Sequence, residues 1–133
     1  MQKTYHGSCH CGAVRFECEI DLAAGTSRCN CSICRKSRFW KAVVPADAFR
    51  LTQGEESLSE YRFGSHSIRH VFCGTCGVKV FGRGELEGLG PFVAVNLACL
   101  DDATDEELAA APVAYEDGRN DHWERPPAET RHL

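Results

Sequence analysis

Seven of the nine cysteines in this 133-residue chain fall into three short clusters. The clusters are Cys9-His10-Cys11, Cys29-Asn30-Cys31-Ser32-Ile33-Cys34 and Cys73-Gly74-Thr75-Cys76. A Cys-x-x-Cys turn lets two thiolates converge on one Zn²⁺ ion, which prefers four tetrahedral ligands. Seven thiolates suffice for one closed site with four sulfurs and one site with three, whose open position is available for chemistry. The clusters therefore predict two zinc ions with unequal roles.

A disulfide framework is the alternative explanation of so many cysteines. The number nine is odd, and Met1–His6 leads into the first cluster without the apolar segment of an export signal. In a reducing cytosol, such close cysteine spacing favours metal binding over disulfides. No stretch approaches the roughly 18 apolar residues that a membrane span needs. We therefore expect a cytoplasmic, zinc-binding protein without a membrane anchor.

Spacing also favours one division of the cysteines between the two ions. The first and third clusters are pairs flanked by glycines, which permit tight turns and a close approach of the backbone to sulfur. Together they would form a zinc-ribbon-like clamp and leave the three cysteines of the middle cluster as ligands of the open site. In the alternative, the first pair shares its ion with two cysteines of the middle cluster. That division leaves the remaining thiols without a shared metal site, so we favour the first division.

The charge of the chain is unevenly distributed. The formal net charge is −4, yet the segment from Leu22 to Ala46 has no acidic residue and contains five cations. These cations are Arg28, Arg35, Lys36, Arg38 and Lys41. A solvated basic face would explain them, but their overlap with the middle cysteine cluster favours a pocket that attracts anions. Five cations in an acidic chain neutralise few phosphates, so we expect no binding to nucleic acid.

Periodicity predicts a mostly β domain. Residues Ala13–Ile20 alternate between apolar and charged side chains, which is typical of a half-buried strand. Cys18 lies on the apolar face of this strand, and Cys99 ends a similar alternation, so we expect both thiols in the core. Further strands are predicted at Phe39–Val44, Phe49–Thr52, Leu58–Phe63, Ser67–Phe72, Val78–Phe81 and Phe92–Ala98.

One short helix is predicted at Asp105–Ala110, with Thr104 as its N-cap and Glu107 completing a capping box. The polar tail after Glu116 contains Trp123, whose large apolar surface predicts that the tail docks on the body of the protein. No repeat or linker interrupts the chain, so residues 1–133 are predicted to form a single zinc-binding domain. The sequence carries no signal for a particular oligomeric state.

Three motifs resemble those of a known family. Gly7-Ser8-Cys9-His10-Cys11-Gly12, Cys29-Asn30-Cys31-Ser32-Ile33-Cys34-Arg35-Lys36 and Phe72-Cys73-Gly74-Thr75-Cys76-Gly77 look like the glutathione-dependent formaldehyde-activating enzyme family, which includes centromere protein V. The resemblance implies a β-tent of twisted antiparallel sheets, shared with a small zinc-binding Rab-accessory protein. It implies a structural zinc on Cys9, Cys11, Cys73 and Cys76. It implies a catalytic zinc on Cys29, Cys31 and Cys34.

The activity implied by the resemblance is a carbon–sulfur lyase reaction run backwards. Glutathione and formaldehyde would condense to S-(hydroxymethyl)glutathione, with the substrate thiol as the fourth sulfur ligand of the open zinc site. Arg35, Lys36 and Arg38 follow the last ligand directly and are predicted to bind the substrate carboxylates. The developing oxygen needs a proton donor, for which His10, His66 and His70 are candidates by type alone. These residues define an expected small-molecule thiol and aldehyde site.

One segment departs from the family pattern and bears on the substrate. Family members often continue the catalytic cluster through a small, glycine-containing segment, where this chain has Ser37-Arg38-Phe39-Trp40. The bulkier wall predicts a differently shaped pocket. Two other functions stay open: a non-catalytic zinc-binding module for protein interaction, and a thiol redox or metal sensor that uses the middle cluster.

Overall fold

Ten strands and two short α-helices make up the computed structural model, which describes residues 1–133. The strands are β1 (Lys3–Ser8), β2 (Arg15–Ile20), β3 (Thr26–Cys29), β4 (Trp40–Pro45), β5 (Phe49–Gln53), β6 (Leu58–Tyr61), β7 (Arg69–Cys73), β8 (Lys79–Leu86), β9 (Gly90–Asn96) and β10 (Val113–Glu116). The helices are α1 (Ser32–Ser37) and α2 (Asp105–Ala110). The prediction of a mostly β fold is confirmed.

The strands form two sheets that enclose the core. A three-stranded sheet has the order β1-β2-β5, and a seven-stranded sheet has the order β10-β3-β4-β9-β8-β7-β6. The ring centroids of Phe16 and Phe49 lie 5.1 Å apart, and those of Phe49 and Phe81 lie 4.6 Å apart. This aromatic stack connects the small sheet to β8 of the large one. Cys18 and Cys99 are buried as predicted.

Strand pairing is antiparallel with one exception. β10 runs parallel to β3, with Glu116 opposite Cys29. The expected antiparallel sheets are thus present, with a parallel pair added at this edge. A parallel neighbour requires a long crossover connection, and here the two strands are separated by most of the chain.

The register of the large sheet places chemically different residues at its two ends. Lys41 lies opposite Asn96, and Lys79 lies opposite Phe72, next to Cys73. We call this the cysteine end of the sheet. Pro45 lies opposite Phe92 at the other end of β4 and β9, which we call the far end.

Helix α2 begins as predicted. The Thr104 side chain accepts a hydrogen bond from the Glu107 N–H, and the Glu107 side chain accepts one from the Thr104 N–H. Neither of the helices in the protein is long and apolar enough to cross a membrane.

The tail docks on the body, but not through the residue we expected. Trp123 stays 51% exposed. Asp117 is buried instead, and its carboxylate accepts a hydrogen bond from the Asn30 side chain at 2.8 Å. A buried carboxylate with hydrogen-bond partners, rather than the indole, thus holds the tail.

Candidate metal centres and the cation pocket

The four cysteines of the first and third clusters come together between the two sheets. The sulfur of Cys11 lies 3.6 Å from that of Cys9 and 3.7 Å from that of Cys73. Together with Cys76, these sulfurs all lie within 4.8 Å of one another. Tetrahedral zinc with Zn–S bonds of about 2.3 Å separates its sulfurs by about 3.8 Å, whereas a disulfide needs about 2.05 Å. The group, which we call the four-cysteine site, therefore fits a zinc ion and not a pair of disulfides.

Backbone N–H groups donate hydrogen bonds to the sulfurs of the four-cysteine site and so stabilise thiolates there. The Val14 N–H donates to the Cys9 sulfur at 3.3 Å, and the Thr75 N–H donates to the Cys73 sulfur at 3.4 Å. The amide of Val78, followed by that of Cys11, lowers the pKa of Cys76 to about 6. Each cysteine pair thus carries its own hydrogen-bond donors in the adjoining turn, because the chain bends back over the sulfur.

Glycine makes those turns possible. Gly12 and Gly77 each follow a cysteine pair and each has φ of +80°, a left-handed conformation that other residues rarely adopt. The expectation of tight glycine turns beside the cysteine pairs is correct for these two positions.

The middle cluster forms a second, more local group, the three-cysteine site. Cys29 ends β3, Cys31 is the N-cap of α1 and Cys34 lies within that helix. The Cys31 N–H donates to the Cys29 sulfur at 3.4 Å. Only the four-cysteine site has all its sulfurs within 4.8 Å of one another. The three-cysteine site is thus the looser of the two, although three thiols remain a donor set suited to zinc.

The thiols of the three-cysteine site shift one another's pKa values. Hydrogen bonds from Cys29, and then from Cys34, lower the pKa of Cys31 to about 2. The same interactions raise the pKa of Cys34, with the contact to Cys29 as the largest cause. Within this group, the pKa of Cys31 is thus lowered and that of Cys34 is raised.

Two of the three predicted substrate-binding residues lie beside these sulfurs. A small cavity is lined by Arg28, Cys29, Cys34, Arg35, Arg38, Phe39 and Leu133. Lys36 is exposed on α1 and does not line this cavity. Successive residues on a helix point in different directions, and here Arg35 faces the cavity whereas Lys36 lies outside it.

Two lysines that we had not assigned to substrate binding also lie near these sulfurs, outside the lining of the small cavity. We call these two lysines and the arginines of the small cavity the cation pocket. Lys41 is largely buried and forms an ion pair with Glu116 at 2.6 Å. Lys79 comes from β8, and its Nζ lies 3.9 Å from the ring centroid of Phe39. Burial lowers the pKa of Lys79, while negative charge on Cys34 and Cys31 raises it. The pairing register of β4, β9 and β8 places both lysines near the three-cysteine site. No local sequence motif predicts this placement.

One of the three candidate histidines connects to this pocket. Lys79 Nζ donates to His70 Nδ1 at 3.0 Å. Burial, followed by the charge of Lys79, lowers the pKa of His70 to about 4. His70 is therefore a neutral acceptor at neutral pH. His10 and His66 are exposed side chains and make no contact with the three-cysteine site.

Residues of the C-terminal tail hydrogen-bond to and pack against the three-cysteine site. Asn30, between two of the cysteines, donates to Asp117 at 2.8 Å and accepts from the Arg119 N–H at 3.0 Å. Gly118 packs so tightly that a Cβ there would lie 2.5 Å from the Cys29 sulfur. Only glycine fits this position without displacing the candidate ligand.

Comparisons with known proteins agree with this arrangement. A family model described as "Glutathione-dependent formaldehyde-activating enzyme" matches residues 4–117. A Halomonas elongata protein named "Putative glutathione-dependent formaldehyde-activating enzyme" is 58% identical over 79 residues, which cover 53% of this chain and 50% of that protein. The chain thus matches about half the length of this curated relative.

A solved structure supports the fold. The crystal structure of a Rhodobacter sphaeroides protein superposes with a TM-score of 0.69 at 33% sequence identity. The match covers 82% of this chain and 99% of that one.

Proposed function

The chain belongs to the glutathione-dependent formaldehyde-activating enzyme family, and on that premise we propose that it is a zinc-dependent carbon–sulfur lyase-type enzyme. It acts on a glutathione-like thiol and a formaldehyde-like aldehyde, and forms or cleaves their S-hydroxymethyl adduct. The observation that carries this proposal is the contrast between the two cysteine sites. One has four sulfurs in mutual contact, whereas the other has three sulfurs surrounded by cations.

The two sites have different roles in the proposal. Residues 1–133 form one zinc-binding domain, and the structural ion on Cys9, Cys11, Cys73 and Cys76 holds its two sheets together. Cys29, Cys31 and Cys34 would hold a second zinc ion, which when bound would lower the pKa of a substrate thiol and fix the position of its sulfur. The residues around this site bind the rest of the substrate and respond to its charge.

Cations around the three-cysteine site balance the charge of the bound thiolate. Lys41 and Lys79 are partly buried, where charges are screened less than at the surface, and Glu116 offsets part of the charge of Lys41. Arg35 and Arg38 line the cavity beside Cys34, and their guanidinium groups suit the carboxylates of a glutathione-like peptide. Lys36 adds positive charge from the exposed side of α1.

The aldehyde oxygen becomes negative as its carbon bonds to sulfur. A positioned donor on this side of the pocket stabilises that charge as it forms. Lys79 Nζ is the best placed donor because Phe39 and His70 fix its ammonium group. His70, as a neutral acceptor, orients Lys79 and does not itself contact the substrate.

Thiol titration of the zinc-loaded protein tests this proposal. Glutathione, cysteine and a thiol without carboxylates are added while X-ray absorption at the zinc edge reports the sulfur ligands. Turnover with formaldehyde is followed in parallel. We expect a carboxylate-bearing thiol to raise the mean number of sulfur ligands and to be consumed with formaldehyde.

Two variants make the result specific. Cys31→Ser should lose thiol binding and turnover, whereas Cys18→Ser changes a buried thiol outside both sites and should keep them. A wild-type protein that takes up no additional sulfur and shows no turnover would favour the non-catalytic interaction module.

A further inference from the structure

A second cavity, of about 540 Å³, lies at the far end of the seven-stranded sheet. Three of its lining residues are Arg62, Arg69 and Arg83, and its other polar side chains are Ser67 and Glu85. Phe49, Phe92 and Val93 supply apolar walls. Lys79 and Arg83 both belong to β8 and are separated by about 13 Å at roughly 3.3 Å per residue. This cavity is therefore distinct from the cation pocket at the cysteine end.

Two of the arginines face each other across neighbouring strands. Arg69 of β7 lies directly opposite Arg83 of β8, and like charges in directly opposed positions destabilise a sheet. The Glu60 carboxylate lies 3.8 Å from Arg69 and 3.5 Å from Arg62, with all three side chains well exposed, and Glu85 lines the cavity without forming an ion pair. Glu60 is therefore shared between two arginines and leaves the pair with excess positive charge.

Arg83 has no anionic partner at all. It makes no ion pair and no side-chain hydrogen bond, and its buried Nε is the one buried side-chain polar atom without a partner in the protein. Its guanidinium carbon lies 4.9 Å from the ring centroid of Phe81, which holds the side chain in place without satisfying its donors. An unsatisfied buried donor is rare in native proteins and costs stability unless a ligand or water completes it.

We propose that this cavity binds a small organic anion with a carboxylate or phosphate group, held between Arg69 and Arg83. The planar guanidinium fork matches such groups with two parallel hydrogen bonds. The apolar walls accept the carbon skeleton of the ligand, and the volume lies in the usual range of small-molecule sites. The site is additional to the proposed thiol and aldehyde chemistry and does not depend on it.

Side-chain nitrogen NMR of the zinc-loaded full chain tests the proposal. The probes are inorganic phosphate, pyrophosphate and succinate, with potassium chloride added to matched ionic strength as the reference. We expect saturable shifts at the Nε–H signals of Arg69 and Arg83. The succinate and phosphate arms show which anionic group the site prefers. Shifts of equal size at every arginine, or no saturable shift with any probe, would overturn the proposal.

Substitution separates a ligand site from a structural arginine pair. Arg83→Met keeps an unbranched side chain over Phe81 and should weaken binding of the preferred probe about ten-fold or more. Arg125→Met is the matched control, because it removes one positive charge from an exposed tail residue that forms no ion pair. Equal affinity in wild type and Arg83→Met would refute the site.

Thermal stability gives a second, independent readout. Without any probe, Arg83→Met and Arg69→Met should each melt at a higher temperature than wild type, because each relieves the like-charge contact. At saturating probe the order should reverse, since wild type then gains more stability from binding than either variant. Lower melting temperatures for both variants without a probe would show a structural role instead. Zinc content and thiol turnover should stay at wild-type levels, so failure here is distinguishable from failure of the proposed enzyme activity.

Discussion

The four-cysteine and three-cysteine sites use the same ligand type but differ in how much chain separates their ligands. In the first, Cys9 and Cys11 follow β1, whereas Cys73 and Cys76 lie at the β7–β8 turn of the other sheet. In the second, all three ligands lie within six residues at the end of β3 and in α1. A metal ion in the first site therefore crosslinks the two sheets, while one in the second site orders a single loop.

The surroundings of the sulfurs differ as well. Backbone N–H groups donate to sulfurs in both sites, but the three-cysteine site also has Lys41, Lys79 and the cavity arginines beside it. Backbone amides stabilise a fixed amount of negative charge. Flexible cations can also bind a further anion that arrives with a substrate. Ligand separation and surrounding charge together distinguish a structural metal site from a reactive one.

Cys73→Ser should have the largest effect on the fold. Cys73 is fully buried in β7, and its loss opens the crosslink between the sheets. We expect loss of cooperative unfolding, since a structural zinc site contributes on the order of 10 kcal/mol. Circular dichroism melts with zinc analysis would measure it. Cys31→Ser should lose one of the two zinc ions but still melt cooperatively. Equal unfolding of both variants would contradict the distinction between the two sites.

Lys79→Met should have the next largest effect, and on binding rather than on folding. It removes the interior cation next to the three-cysteine site and should lower thiol affinity by about 10- to 100-fold, as is typical when a group behind the metal ligands is lost. Calorimetric titration of glutathione would measure the change. Lys3→Met, at the other sheet, is the control. Comparable losses in both variants would mean that net charge alone matters.

Arg35→Gln should weaken glutathione binding about ten-fold without removing zinc, because it takes one guanidinium from the cavity beside Cys34. The matched variant is Lys36→Gln, which removes the same charge one residue away, outside the cavity. It should change affinity little. If both substitutions weaken binding equally, α1 contributes only its overall positive charge, and the cavity is not where the substrate carboxylate binds.

The smallest effect concerns acid stability near the three-cysteine site. The pKa of His70 is lowered to about 4, against about 6.5 in an unfolded chain. The unfolded state therefore binds the proton more readily between these values, so stability falls as pH drops from about 6.5 towards 4. His70→Asn should show a shallower fall in urea midpoint across this window. Parallel curves for the two proteins would mean that His70 is solvated and does not orient Lys79.

Some elements could be predicted because their physical signal is local. The alternation in β2 and the capping box of α2 are complete within a few residues, and the structure has both. Strands β1, β3 and β10 were not predicted. Strand β3, for example, has the sequence Thr-Ser-Arg-Cys, which shows no alternation, and it forms because it pairs with distant segments. Lys79 was missed for the same reason, because strand register, not spacing along the chain, brings it to the three-cysteine site.

The far-end arginines show the same limit. Nothing in the separate sequences of β7 and β8 indicates that Arg69 and Arg83 face each other. Their pairing follows from a register that includes an irregularity between Val71 and Phe72. Shifting a strand by one residue would send one arginine to the other face. Residue type suggests candidate sites, whereas register decides which of them exist.

The parallel pairing of β10 with β3 has a consequence for biosynthesis. Domains begin to fold from the N-terminus as the chain is made, and the four-cysteine site has all its ligands once Cys76 has emerged. Strand β3 gains its outer neighbour, and Asn30 its partner Asp117, only once residues as far as Asp117 have emerged. If zinc binds as proposed, the nascent protein can acquire its crosslinking metal before the residues that brace the three-cysteine loop have emerged.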